Sequence, residues 1–295
     1  MVYQAIKELM EKEKGYSIAS LCKQGEVSRA AYYKWLNRKD SPNGKLNKII
    51  AEKVDAIHAE HPDMGYRRLR DTLEHDENID VNEKRVLRIC RKKKIQSIVK
   101  GRHNCCTKPA SDPAYVAENI LNREFNAERP NEKWVTDVSV FKYGVGTGNV
   151  GKIYLSAIID LCDKRPVSYV ISDHNDNPLV FNTFDAAIAA NPDTHPLFHS
   201  DRGYQYTSND FRQRIIKAGM TQSMSRVARC IDNGPMEGFW GVMKREMYYT
   251  RKYQTKDELM KAIHSYMDYY TNGRVQRKLG VLTPMEYHEQ MLLAA

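Results

Sequence analysis

Asp137, Asp201 and Glu237 are three carboxylates in three different sequence settings, the last two separated by 35 residues. Carboxylates gathered at one point can hold two divalent cations about 3.5 to 4 Å apart, and such a pair stabilises both the attacking and the leaving oxygen of an in-line displacement at phosphorus. The three acids therefore point to metal-dependent phosphoryl transfer, provided the fold brings them together. Each also has a plainer reading. Asp137 could be a solvated or edge-strand residue, Asp201 could serve a turn ahead of Gly203, and Glu237 could simply favour the positive end of a helix.

The settings of the acids predict the elements that carry them. Asp137 lies in the alternating run from Trp134 to Val140, which reads as a strand. With Val138 and Val140 turned inward, Asp137 shares the opposite face with Val135 and Ser139. Helices should cover that face in a layered fold, so the carboxylate needs a partner there. Asp201 stands at the C-terminal end of a strand around Leu197 to His199, where a chain leaves its sheet and exposes side chains. Glu237 follows Asn233-Gly234-Pro235, an N-cap and first-turn signature. Lys244 lies seven residues further on, on the same helix face, beside an apolar stripe of Phe239, Met243 and Met247.

Around these residues the periodicity predicts strands at Val135 to Tyr143, Ile153 to Asp160 and Val167 to Ile171, joined by short turns as an antiparallel meander. Helices at Pro178 to Ala190 and Asn209 to Ala218 then alternate with the strand before Asp201 and a short one near Thr221. A long amphipathic segment follows from Lys256 to Tyr270. Three meandering strands followed by alternating helices and strands indicate an α/β layer fold of the ribonuclease-H type. The run from Gly146 to Lys152 satisfies most of a phosphate-binding loop pattern, but Ile153 stands where Ser or Thr should bind magnesium and a β-run follows. It is read as a hairpin.

The first part of the chain is helical. A helix-turn-helix spacing covers residues 17–36, its second helix capped by Ser28 and expected to present Arg29, Tyr32, Tyr33 and Lys34. A break at Asp40 to Lys45 precedes a second helical region that contains Arg67 and Arg68 and ends in a helix where Val86 and Ile89 face a core. Lys84, Arg85, Arg88 and Arg91 are left there for phosphates. Of the net charge of +9, the whole excess lies here: residues 1–110 hold 24 Lys+Arg against 15 Asp+Glu, and the remainder holds 22 of each. That asymmetry points to nucleic acid. The expected organisation is a helix-turn-helix-like segment at 1–40, a basic DNA-binding region at 45–100, a linker with one short helix at 101–130, and a catalytic core with C-terminal helices at 131–290.

Six cysteines without a CxxC pair argue against a disulfide framework, and His103 with Cys105 and Cys106 is a poor match to a zinc site. No apolar run approaches the roughly 20 residues that span a bilayer, so no membrane partner and a cytoplasmic, nucleoid-associated location are expected.

Residues 131–290 resemble the integrase core of insertion-sequence transposases, specifically the second-frame (OrfB-type) protein of the insertion-sequence-three family. The matching landmarks are Trp134 to Asp137, His199 to Gly203, Ser223 to Arg226, Asp232-Asn233, Pro235 to Glu237 with Lys244, Asn272 to Arg274, Leu279-Gly280 and Thr283 to Tyr287. Upstream, Gly65 to Leu69 and Lys84 to Val86 are similar to the DNA-binding segment of the same family. The resemblance implies a ribonuclease-H-like core, a mixed five-stranded sheet flanked by helices, behind an all-α DNA-binding region. It also implies DNA cleavage and strand transfer at element ends, with Asp137, Asp201 and Glu237 holding two Mg²⁺ or Mn²⁺ ions. Lys244 and Arg226 would grip the terminal backbone. The implied partners are double-stranded DNA, both ends and target, further copies of the chain in a synaptic complex, and an upstream-frame DNA-binding protein, paired or fused. Two alternatives share part of the pattern: a ribonuclease-H-like nuclease without joining activity, and a non-catalytic DNA-binding regulator. Val227-Ala228-Arg229, Ile231, Gly234 and Gln276 depart from the family's usual residues.

Overall fold

The computed structural model describes residues 2–12, 16–39, 41–99, 115–146, 148–227 and 229–294. The chain divides into two compact units, one ending at Asp55 and the other beginning at Ala56.

The first unit contains α1 (Val2–Lys12), α2 (Ile18–Gln24) and α3 (Arg29–Leu36). Ser17 and Ser28 cap α2 and α3, their hydroxyls accepting from the amides of Ser20 and Ala31 at 3.1 Å each. Ile6, Leu21, Cys22 and Tyr32 form a small core. Tyr32 is only 2% exposed, which corrects its expected place on the outer face of α3; Arg29, Tyr33 and Lys34 are exposed as expected. The tyrosine fills the small core that the three helices share, packed against Trp35. The break expected at residues 40–45 is shorter, because helix α4 (Pro42–Glu60) begins at Pro42 with the Ser41 hydroxyl accepting from Gly44. The boundary between units falls within α4.

The second unit opens with α5 (Tyr66–Glu77) and α6 (Glu83–Lys93). Asn82 caps α6, and Val86 and Ile89 are buried as the pattern required. The stretch expected as a linker lies partly outside the described residues. Its described part, 115–130, forms no helix and is packed along the sheet: the Ser223 hydroxyl accepts from the amides of Ile120 and Leu121 at 3.0 Å each, and Leu121 is 1% exposed.

The sheet comprises β1 (Lys133–Tyr143), β2 (Gly151–Asp160), β3 (Pro166–Ser172), β4 (Leu197–Ser200) and β5 (Thr221–Met224) in the order β3-β2-β1-β4-β5. The first three strands form the expected antiparallel meander, while β4 lies parallel to β1, and β5 parallel to β4. This is the mixed five-stranded ribonuclease-H-like sheet. The alternation of β1 sends Trp134 to a cluster formed with α7 (Asn177–Ala190) and α8 (Asn209–Lys217). It sends Val135 and Phe141 to a second cluster formed with α9 (Gly234–Met243) and α10 (Lys256–Asn272). Val138 packs on the first cluster, but Val140, expected to point inward, is 40% exposed and outside that cluster. Between β1 and β2, Gly146 and Gly148 adopt φ of 96° and 87°, so the glycine-rich run is a hairpin turn. After α9 comes a π-helical turn at Lys244–Tyr248, and α11 (Pro284–Leu293) closes the chain with a capping box between Thr283 and Glu286.

Candidate active site

Parallel pairing of β1 with β4 places Val135 opposite His199. Two residues further along each chain come Asp137 and, just past the end of β4, Asp201, near enough for the charge of Asp201 to act on the Asp137 carboxyl. The pairing thus delivers two carboxylates side by side from residues distant in sequence. The Asp137 carboxyl is pushed up to about 7, first by burial and then by the charge of Asp201, with Val138, Trp240 and Lys244 pulling the other way. Burial also raises Asp201, opposed by the amide of Gly203. Two adjacent desolvated carboxylates are a donor set suited to hard divalent cations.

Asp201 realises both of its readings. Its Oδ1 accepts from the Gly203 amide at 2.8 Å, which is turn chemistry, and the same bond fixes the carboxylate beside Asp137. A Cβ at position 203 would lie 3.0 Å from that oxygen, so glycine is what lets the turn close this tightly.

Helix α9 reaches the site through a residue that the sequence reading missed. The Trp240 indole Nε1–H donates to Asp137 Oδ2 at 3.0 Å, and its ring packs among Phe141 and Phe239. The available signal was its spacing three residues after Glu237, on a neighbouring face of one helix. Glu237 itself is exposed, in the first turn of α9 as expected. Among the described residues no three His, Cys, Asp or Glu side chains are arranged to hold a metal ion. The structure therefore brings two of the three acids together and leaves the third outside, because the face of α9 turned to Asp137 is that of Trp240. Lys244 lies near the pair, its Nζ 5.2 Å from the Phe141 ring centroid.

The loop between β5 and α9 is fastened from within. Asp232, fully buried, accepts from the Arg226 amide at 3.1 Å, from Arg226 Nε and Nη2 at 2.8 Å each, and from Arg123 Nε at 2.7 Å. The Arg226 hydrogen bonds hold the Asp232 carboxyl well below the usual carboxylate range. Arg226, expected to grip DNA, binds this carboxylate through Nε and Nη2 in a bidentate pair, and its side chain remains 46% exposed. The neighbouring Asn233 amide group donates to the Thr136 carbonyl at 3.0 Å, pinning the start of α9 next to Asp137. His199, also fully buried, lies between the hydroxyls of Ser223 and Ser225 at 2.9 and 3.1 Å. Burial pushes it down to about 4, so it serves the scaffold as a neutral ring.

The basic residues of the helical region separate into two groups. Lys84, Arg88 and Arg91 are exposed along α6, Arg85 is half-buried, and the Arg67 side chain is 68% exposed. Arg68, expected to bind DNA, is turned inward: Nη1 donates to Asp63 at 2.6 Å and to Glu246 at 2.9 Å, and Nη2 to the Tyr269 hydroxyl at 2.8 Å. Helical spacing accounts for the difference between these neighbours, since residues one apart on α5 point about 100° apart. Of the cysteines, Cys22, Cys90 and Cys162 are buried and form no disulfide, while His103, Cys105 and Cys106 lie outside the described residues.

Comparison with known proteins finds relatives along nearly the whole chain. Two models described as integrase core domain match residues 127–230 and 237–292, and one described as HTH-like domain matches 45–103. The putative transposase InsK for insertion sequence element IS150 of Escherichia coli K12 is 34% identical over 97% of this chain and 98% of its own. The chain belongs to the insertion-sequence-three family of transposases. InsF of IS3A from the same organism is 24% identical over 94% of the chain and 96% of its own length. Among solved structures, the HTLV-2 integrase catalytic core domain in complex with magnesium is similar over 54% of this chain and 97% of that one, at 18% identity and a TM-score of 0.42. The HTH-like match of this transposase falls on the region of α4 to α6. The helix-turn-helix spacing at residues 17–36 lies before it.

Proposed function

We propose that this transposase cleaves the ends of its insertion sequence and joins them to target DNA by metal-dependent in-line phosphoryl transfer. The observation that carries the reading is the side-by-side placement of Asp137 and Asp201, with the helix that bears Glu237 hydrogen-bonded to Asp137 through Trp240. Asp137 and Asp201 would hold two Mg²⁺ or Mn²⁺ ions, and Glu237 completes the set by swinging in from the first turn of α9. When bound, the ions supply a nucleophile at neutral pH and stabilise the leaving oxygen. The chain's own work is positional. Gly203 and Trp240 orient the two carboxylates, Asn233 holds the catalytic helix to β1, and Lys244 lies where it can meet the scissile backbone. Lys84, Arg85, Arg88 and Arg67 supply phosphate contacts on double-stranded DNA. Because two ends must meet, the working form is a homo-oligomer, and an upstream-frame protein contributes further end recognition.

A labelled duplex carrying the terminal repeat that flanks the coding sequence, incubated with a target plasmid, tests this. Cleaved and joined products should require Mg²⁺ or Mn²⁺ and disappear in Asp201→Asn; undiminished products in that variant would end the proposal.

A further inference from the structure

Glu246 stands in the π-helical turn that directly follows the catalytic helix α9, and its side chain is 9% exposed. Both of its oxygens are saturated by donors from elsewhere. Oε1 accepts from Arg68 Nη1 at 2.9 Å and Arg274 Nη2 at 2.7 Å, and Oε2 accepts from Arg274 Nε at 2.9 Å and the Tyr266 hydroxyl at 2.8 Å. Arg68 belongs to α5, which packs with α6 through Leu69, Leu73, Val86 and Ile89. One carboxylate therefore joins the helix that carries Trp240 and Glu237 to the pair of helices that exposes Lys84, Arg88 and Arg91.

Stability alone does not account for this choice. Apolar residues of the same volume would hold two helices together at least as well as a buried ion pair, which must overcome the desolvation of its charges. What the charged group adds is direction, since an arginine fork meets a carboxylate in one plane only. The π turn is the other unusual element, a local widening of the helix that is rare and is frequently found at functional sites. The same two helices are fastened elsewhere as well: Arg277 binds Asp71 at 2.6 Å and Glu83 at 2.6 Å, and His75 meets Glu286 at 2.9 Å. Neither of these fastenings touches α9 or its π turn.

We propose that Glu246 is a positioning residue that sets where the DNA strand is cut, by holding the phosphate-binding helices α5 and α6 in one register against the end of the catalytic helix. This rests on the function proposed above, and adds to it that grip and cut are measured against each other through a single buried carboxylate. A displacement of about 1 Å between bound backbone and reacting groups is enough to cost about a hundredfold in rate, so a loosened latch is read out as misplaced chemistry.

The test uses the full chain and the same labelled terminal duplex, with cut positions mapped at single-nucleotide resolution. Glu246→Gln, and separately Arg68→Lys, should keep cooperative melting and unchanged affinity for the duplex. Cleavage at the main phosphate should fall about a hundredfold, with products spread onto neighbouring phosphates. Arg277→Gln, which loosens a fastening that does not include Glu246, should leave the cut position unchanged. Hydrogen exchange on the metal-free complex gives a reading independent of catalysis: duplex binding should slow exchange in both α6 and α9 of the unaltered chain, and in α6 alone of Glu246→Gln. A single unchanged cut site in Glu246→Gln, equal scatter in Arg277→Gln, retained protection of α9 in Glu246→Gln, or loss of folding in both latch variants would each overturn the proposal. If the unaltered chain cuts nothing while the exchange pattern holds, the catalytic reading fails and the latch stands.

Discussion

Trp240 is the residue where local chemistry and site geometry meet. Its indole N–H reaches Asp137 Oδ2 while its ring fills the core beneath the sheet, so one side chain both packs α9 and aims a carboxylate. Trp240→Phe keeps most of the packing and removes the donor. A hydrogen bond to a charged group contributes about 1.5 to 3 kcal/mol, so the variant should remain folded with a modest loss of stability. The Mg²⁺ concentration for half-maximal cleavage should rise several-fold. A metal titration that superimposes on that of the unaltered chain would show that the indole only packs.

At the scale of elements, the pairs that join α5 and α6 to the core make acid stability a readable property. Burial opposes the charge on Glu246, but the pairing with Arg274 and Arg68 outweighs it, so its carboxyl titrates below the ordinary value. A carboxylate depressed in the folded state contributes stability that is fully present above its unfolded pKa of about 4.3. That contribution is lost as pH falls through the folded value. Glu246→Gln should therefore be less stable than the unaltered chain near pH 7, by about 3 to 5 kcal/mol for a broken buried pair, and the difference should shrink in acid. Urea unfolding at a series of pH values measures it; a gap that stays constant into acid would mean that the charge on Glu246 does not stabilise the fold.

Across the whole molecule the basic excess of the first 110 residues is only partly available to DNA. Lys84, Arg88 and Arg91 are exposed on α6, whereas Arg68 is paired within the protein. Removing a cation that meets a DNA phosphate should flatten the salt dependence of binding by about one counterion, so alanine at Lys84 or Arg88 should reduce the slope. Arg68→Ala should lower stability and leave the slope as it was. Equal slope changes at Arg68 and Arg88, measured by fluorescence anisotropy over a range of salt, would contradict this division.

The sequence by itself determined the elements and the order of the acids. Alternation of apolar residues marked the strand that holds Asp137, the end of a strand marked Asp201, and Asn233-Gly234-Pro235 marked the helix start before Glu237, since these signals are local and depend on backbone geometry alone. It also made the mixed sheet and the family legible. Only the tertiary structure decided who meets whom. Parallel pairing of β1 with β4 set Asp201 beside Asp137, the rotation of α9 gave Asp137 to Trp240 and left Glu237 exposed, and packing of α5 turned Arg68 and Arg67 to different duties. Arg226 shows why no pattern could have foretold this. A cation is equally suited to a phosphate outside or a carboxylate inside, and which it finds depends on residues brought near by the fold, not on its neighbours in the chain.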